Sequence, residues 1–201
     1  CAVGAVRTCE RGYEVDTAQG VVQTSQLVVA TGGLSIPPIG ATDLGYRLAR
    51  QFGLRMVEPR PALVPLTFDG AGWSPYAGLA GLSLPVQIET GQKKERMAFD
   101  EDLLFTHRGL SGPAVLQISS YWKPGTPIRL NLAPQQDLAA ALQRAKATSR
   151  KLLANELATL VPSRLADAWV QQDAAWQRPV SDTTDRALLL IGEPGTAKSW
   201  L

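Results

Sequence analysis

The feature that most constrains the fold is a short apolar run that stops at two glycines. Residues 27–30 read LVVA, and Thr31, Gly32 and Gly33 follow directly. An unbroken run of apolar and β-branched side chains is typical of a strand buried on both faces of a parallel sheet. Glycines at the carboxyl end of such a strand allow a sharp turn and the close approach of a ligand to the main chain. We expect such a ligand-facing turn here, and a purely structural glycine turn is the alternative.

The residues on either side of this run fit an α/β arrangement. Residues 13–22 alternate between polar and apolar side chains around a glycine turn, which predicts an antiparallel hairpin. Residues 42–52 change to a helical period, and Thr42 or Asp43 can cap the resulting helix. Residues 1–57 are therefore predicted to form one segment of strands, glycine turn and helix.

The pattern changes after this segment. Residues 58–134 contain short apolar stretches separated by prolines and glycines, which predicts a small β-barrel or sandwich. One helix interrupts these strands, with Ser111 as its N-cap and Pro113 in its first turn. The resulting fold class is mixed α/β with a β-rich insert.

Helical periodicity returns in residues 135–178, which predicts a helical subdomain of three helices. Trp169 and Trp176 lie seven residues apart, so we expect both on one face of a continuous helix, where they pack into the core. Residues 179–201 form a return segment or a tail.

Composition narrows the classes of function. Lys and Arg number 20 against 18 Asp and Glu, a balance that predicts neither a nucleic-acid partner nor a membrane partner. The densest basic run, residues 93–96, is predicted to be a solvated hairpin tip. One histidine and two cysteines predict no metal site and no disulfide scaffold. We expect a cytoplasmic protein, since no apolar run approaches the ~20 residues of a membrane span.

Three ordered motifs carry a resemblance to a known family. Residues 30–49 read ATGGLSIPPIGATDLGYRLA, residues 59–66 read PRPALVPL, and residues 103–116 read LLFTHRGLSGPAVL. Together they resemble the BaiN/aminoacetone-oxidase type of bacterial FAD-dependent oxidoreductases, the YhiN-like flavoproteins. The resemblance covers about residues 1–170. It implies part of a Rossmann-like FAD-binding domain into which a small β-barrel and a helical subdomain are inserted, with the insert shaping a substrate pocket over the flavin.

The resemblance also implies roles for individual residues. It places a cofactor contact at the ATGG turn, which comprises Ala30, Thr31, Gly32 and Gly33. It places the substrate side in the loop formed by residues 106–112, in particular Thr106, Gly109, Ser111 and Gly112. His107 in that loop is a candidate proton donor or acceptor, and the alternative is a histidine satisfied by backbone groups in a turn. The implied cofactor is FAD, with NAD(P)H as a possible electron donor and a small molecule as substrate.

The amino-terminal GxGxxG turn of a flavin-binding domain is absent from this sequence. We therefore expect a central portion of a longer flavoprotein, and we expect the isolated chain to bind FAD poorly or not at all.

Residues 192–199 read GEPGTAKS, which resembles the Walker A loop of MoxR-type AAA+ ATPases. Lys198 and Ser199 would then contact phosphates and Mg²⁺. Residues 181–185 are typical of a helix start, so residues 187–191 can be helical rather than the strand that a Walker A loop follows. Two alternative functions thus remain: a piece of a P-loop ATPase, and a non-catalytic β-barrel interaction module.

Overall fold

The computed structural model describes residues 2–68, 70–192 and 195–196. The chain divides into two compact units, Cys1–Arg60 and Pro61–Leu201, and each unit has its own hydrophobic core. None of the helices in the described ranges has the length and apolar character needed to cross a lipid bilayer.

The first unit is an antiparallel meander covered by a helix. Its elements are β1 (Val3–Cys9), β2 (Gly12–Thr17), β3 (Gly20–Thr24) and α1 (Leu44–Gln51). Leu48 of α1 packs on Val6 and Val15 of the sheet, as the alternating and helical patterns predict. The Leu44 amide donates to the Thr42 hydroxyl at 3.4 Å, whereas the Asp43 side chain makes no capping hydrogen bond.

The predicted buried strand at residues 27–30 is not formed. These residues have no strand assignment, and the side chains of Val28 and Val29 are 85% and 45% exposed. A buried strand is stable only when its main-chain N–H and C=O groups are paired, which requires at least one neighbouring strand. Within the described part of the first unit, β1, β2 and β3 pair with one another and not with this run. The prediction was wrong because an apolar run specifies burial but does not supply the neighbouring strands.

The second unit is built on a six-stranded antiparallel sheet curled into a half-barrel. The strand order is β4-β7-β6-β5-β8-β9. The strands are β4 (Leu66–Thr67), β5 (Ser83–Thr90), β6 (Met97–Thr106), β7 (Gly109–Ser111), β8 (Ile128–Asn131) and β9 (Gly195–Thr196). The predicted barrel-like region is confirmed by this sheet.

The described part of the second unit contains six α-helices. They are α2 (Gly70–Ala77), α3 (Pro113–Ser119), α4 (Leu138–Thr148), α5 (Leu153–Leu157), α6 (Ser163–Val170) and α7 (Asp185–Gly192). Ile88 and Leu103 from the sheet share one fully buried core with Leu142 and Leu157 from the helices. The sheet and the helical region therefore bury a common set of apolar side chains.

Two helices in the β-rich region differ from the predictions. Helix α2 was not predicted, since Gly70 and Pro75 are typical of loops; burial of the Trp73 side chain holds the helix in place. Helix α3 has Gly112 rather than Ser111 as its N-cap, and Ser111 ends β7.

The prediction of one continuous helix through Trp169 and Trp176 was wrong. Helix α6 ends at Val170, and Trp176 closes a separate 3-10 turn, Ala174–Trp176. Both indoles are half-buried against the core of the second unit. The predicted core packing is confirmed, although two elements rather than one provide it.

The tail is helical where a Walker A site needs a strand. Leu188 and Ile191 of α7 are fully buried, and β9 follows as an antiparallel partner of β8. Residues 193–194 and 197–201, including Lys198 and Ser199, lie outside the described residues. The strand that precedes a phosphate-binding loop is thus replaced by a core helix, which removes the main structural support for the P-loop interpretation.

Candidate functional site

The loop predicted to face a substrate is a tight hairpin between β6 and β7. Thr106 pairs with Gly109, so the connection consists of His107 and Arg108, and both side chains are exposed. A two-residue hairpin loop has few accessible conformations, because the strands on both sides fix its ends. The hairpin therefore presents an imidazole and a guanidinium at a defined place.

Hydrogen bonds inside the hairpin restrict it further. The Thr106 hydroxyl donates to the Gly109 carbonyl at 2.9 Å and accepts from the Arg108 amide at 3.3 Å. The Phe68 amide donates to the Arg108 carbonyl at 3.1 Å, and the indole N–H of Trp73 donates to the Thr106 carbonyl at 3.0 Å. Both backbone carbonyls beside His107 are thus held from outside the hairpin.

An aromatic cluster supports the hairpin from one side. The ring of Trp73 stacks on Phe68 with centroids 4.9 Å apart and planes 8° apart, and it contacts Phe105 and Tyr76 at 6.0 and 5.6 Å. Burial raises the pKa of the Tyr76 phenol, so this group stays neutral. The cluster is apolar and rigid, which suits a support rather than a reacting group.

The two glycines of the loop are required by the packing of the sheet. A Cβ on Gly109 would lie 2.1 Å from the Leu66 carbonyl oxygen, and one on Gly112 would lie 2.8 Å from the Asp102 carbonyl oxygen. Ser111 is half-buried between them. Pro113, the first residue of α3, has no N–H, so it provides no main-chain donor at the start of this helix.

The predicted cofactor turn lies in the first unit. Ala30, Thr31 and Gly32 are exposed; Gly32 has φ +71°, and a Cβ built on it would meet no atom within 4 Å. A Cβ on Gly33 would lie 3.2 Å from the Tyr46 hydroxyl. The main chain at Gly32 is thus sterically open, which fits the close approach of a planar cofactor. This turn and the hairpin belong to different compact units.

Trp73 and Phe68 were not predicted as parts of the site. Arg108 lay inside the predicted loop at residues 106–112, but no role of its own was predicted for it. Trp73 and Phe68 were missed because helix α2 was not predicted, so nothing placed the indole beside the hairpin. The spacing of Phe68, Trp73 and Tyr76 was the available signal for an aromatic cluster.

Comparison with known proteins finds a matching family and several relatives of this chain. Residues 60–191 match the family described as HI0933-like protein barrel and H2TH domain. The chain is 44% identical over 151 residues to a ribosomal RNA dihydrouridine synthase of Haemophilus influenzae, covering 75% of this chain and 37% of that protein. It is also 44% identical over 159 residues to a protein of the same name from Escherichia coli, covering 79% and 39%.

A more distant relative is the 3-dehydro-bile acid delta(4,6)-reductase of Clostridium scindens, which is 25% identical over 142 residues, covering 67% of this chain and 34% of that protein. The BaiN-type likeness in the sequence is accordingly the weaker one. The chain spans between 34% and 39% of the length of these relatives. The family match covers more than half of the chain and includes the half-barrel and the helices around it, so the chain belongs to the HI0933-like family of flavoproteins.

Proposed function

We propose that this chain is part of an FAD-dependent reductase whose substrate is a uridine base in ribosomal RNA. The observation that carries the proposal is the 44% identity, over at least three quarters of this chain, to two proteins named ribosomal RNA dihydrouridine synthase. The bile-acid reductase is much less similar, at 25%. A cytoplasmic location is part of this proposal.

The two names describe related chemistry. Uridine and a 3-dehydro-delta(4,6) bile acid each contain a carbon–carbon double bond conjugated to a carbonyl. Saturation of that bond adds a hydride to the carbon farther from the carbonyl and a proton to the nearer carbon. Bound FAD would supply the hydride after reduction by an electron donor, for which we propose NAD(P)H.

The residues of this chain would bind the flavin, orient the substrate and protonate it. The open main chain at Gly32, with Ala30, Thr31 and Gly33, would contact the flavin. His107 would donate the proton to the substrate carbon, because its side chain is exposed on a hairpin that cannot easily move. Arg108 beside it offers a fixed positive charge to a carbonyl oxygen or a phosphate.

A small-molecule substrate without nucleic acid is the second candidate. The nearly balanced charge of the whole chain favours it, as does the likeness to the bile-acid reductase. The hairpin and the glycine turn would have the same roles with either substrate. Their geometry therefore does not distinguish the two candidates, and the substrate itself has to be tested.

The test uses the purified full-length protein. Its visible spectrum reports bound flavin, and bleaching under anaerobic NADPH or NADH reports the donor. Ribosomal RNA from cells that lack the gene is then incubated with the reduced protein and digested, and the nucleosides are measured by mass spectrometry. We expect a gain of two hydrogens on one uridine. A protein that reduces a 3-oxo-delta(4,6) steroid and leaves ribosomal RNA unchanged contradicts the proposal.

A further inference from the structure

Cationic side chains from three segments meet at the end of β6 opposite the His107 hairpin. We call this surface the basic edge; it comprises Lys93, Lys94 and Arg96 in the β5–β6 connection, Lys123, and Arg129 on β8. The sequence showed only the short run at residues 93–96. The fold adds Arg129, because β8 pairs with β5, and Lys123, whose Nζ contacts Glu95 in the β5–β6 connection.

Two carboxylates, those of Glu89 and Glu95, form ion pairs with cations of the basic edge. The Arg96 Nε donates to Glu89 Oε2 at 2.7 Å, and Arg129 Nη1 contacts Glu89 Oε1 at 3.2 Å. Lys123 Nζ contacts Glu95 Oε2 at 3.2 Å. Partial burial acts to raise the pKa of Glu89, but hydrogen bonds from the two arginines outweigh it and hold that pKa below its ordinary value. The carboxylate therefore remains ionised and orients both guanidinium groups.

The basic edge keeps an excess of positive charge. Its five cations share two carboxylates, and among the described residues neither Lys93 nor Lys94 takes part in an ion pair. All five side chains are accessible: Arg96 and Lys123 are 58% and 62% exposed, and even Arg129 is 42% exposed. Partly shared, exposed cations can exchange a carboxylate for a phosphate at low cost.

An aromatic ring lies beside these cations along the chain. Tyr121 precedes Lys123 by two residues and is 50% exposed, and its ring contacts Phe99 at 5.8 Å. The turn after it is fixed, since the Trp122 indole donates to the Thr126 carbonyl at 2.9 Å. Exposed aromatic rings next to cations are typical of surfaces that stack unpaired bases and neutralise the adjoining phosphates.

We propose that the basic edge binds the phosphate backbone of RNA and that Tyr121 stacks on an unpaired base. This proposal rests on the proposed function, because it assigns a second contact to the same RNA substrate. The ten residues of β6 separate the basic edge from His107 by about 30 Å along the strand. Only a macromolecule can contact His107 and the basic edge at the same time. The basic edge therefore has no role in binding a small-molecule substrate.

The test compares two triple variants of the flavin-loaded full-length protein. The first is Lys93→Ala/Lys94→Ala/Lys123→Ala. The matched control is Arg144→Ala/Lys151→Ala/Arg178→Ala, which removes three exposed cations from the helical region. The probe is unmodified ribosomal RNA transcribed in vitro, and Kd is measured from 50 to 300 mM KCl. Flavin content and the melting temperature confirm that each variant is folded.

We expect the first variant to bind at least about tenfold more weakly at 100 mM KCl, with a salt slope smaller by about two to three. The control variant retains the slope of the wild type. Tyr121→Leu weakens binding about fivefold or more without changing the slope, since stacking releases no counterions. Glu95→Gln, which removes one negative charge, tightens binding.

The outcomes separate this proposal from the proposed function. If the wild type forms dihydrouridine but the first variant keeps its salt slope, or if the control loses as much, the basic edge is not the RNA contact. If the wild type neither binds ribosomal RNA nor forms dihydrouridine, both proposals are wrong. The rate of flavin reduction by the electron donor must be equal in the wild type and the first variant; a loss there also overturns the assignment.

Discussion

Three glycines of the two candidate sites differ in what their missing side chain allows. At Gly109 and Gly112 a Cβ would collide with backbone atoms of neighbouring strands, so these glycines serve the packing of the sheet. At Gly32 a Cβ would enter open space. A side chain there would leave the packing of the fold unchanged, which makes Gly32 the position to test for the proposed cofactor contact.

The first prediction concerns Gly32→Val in the full-length protein. We expect the ratio of flavin to protein to fall by at least about tenfold, because the new side chain occupies the space through which the cofactor approaches. Gly40→Val is the matched control: Gly40 also has a positive φ and open space around it, so the backbone strain is similar. Equal flavin loading of the two variants contradicts the proposed cofactor contact.

The second prediction concerns His107→Gln. Glutamine keeps a polar side chain of similar reach but cannot deliver a proton as imidazolium does. We expect kcat for dihydrouridine formation to fall by about 10²- to 10⁴-fold, with flavin content unchanged. Stopped-flow measurement of substrate reduction checks this, with the rate of flavin reduction by NADPH as the internal control. An unchanged kcat would show that His107 is only part of the turn and does not donate the proton.

At the scale of elements, the hairpin depends on a helix that lies outside it. Helix α2 provides Trp73, whose indole N–H bonds the Thr106 carbonyl and whose ring is enclosed by Phe68 and Phe105. The strand β4 pairs with β7 from the other edge. The main chain on both sides of His107 is thus held by residues more than 30 positions away in sequence.

The third prediction concerns Trp73→Phe. The aromatic packing is largely kept, but the hydrogen bond to Thr106 is lost, which costs about 1–2 kcal/mol of stability and loosens the hairpin. We expect kcat to fall while flavin content stays constant, since Trp73 bonds the hairpin of the second unit and the proposed cofactor turn belongs to the first. Trp169→Phe, which alters a half-buried indole of the same unit, serves as the control. Equal kinetics in both variants would show that the indole N–H does not position the hairpin.

A sequence prediction is accurate where the pattern that it uses lies within the element itself. Helix α4 was predicted because its apolar stripe repeats at the helical period, and Leu138 and Leu142 are indeed buried. Helix α2 was missed because its stability comes from the burial of Trp73 and not from its propensity. The run at residues 27–30 was misjudged because strand formation depends on partners that the run itself does not encode. For the same reason the sequence suggested the His107 loop but not the aromatic cluster that supports it.

At the scale of the whole molecule, the second unit has one core built from both classes of element. Ile88 and Leu103 on the sheet and Leu142 and Leu157 on the helices have no exposed surface. Side chains that share a core lose their contacts together when any part of it opens. The half-barrel and the helices are therefore expected to unfold as one cooperative unit.

The last prediction tests this cooperativity with Leu142→Ala. The substitution leaves a cavity in the common core and should lower the free energy of unfolding by about 2–5 kcal/mol. Because the core is shared, the helical circular dichroism signal and the fluorescence of Trp73 and Trp122, measured with Trp169, Trp176 and Trp200 replaced by Phe, should shift to the same lower midpoint. Leu189→Ala on α7 removes the same atoms from a leucine that is 46% exposed, so its effect should stay below about 1 kcal/mol. If only the helical signal shifts in Leu142→Ala, residues 135–178 fold separately from the half-barrel, and a core shared by both would then fail to account for the stability of the hairpin.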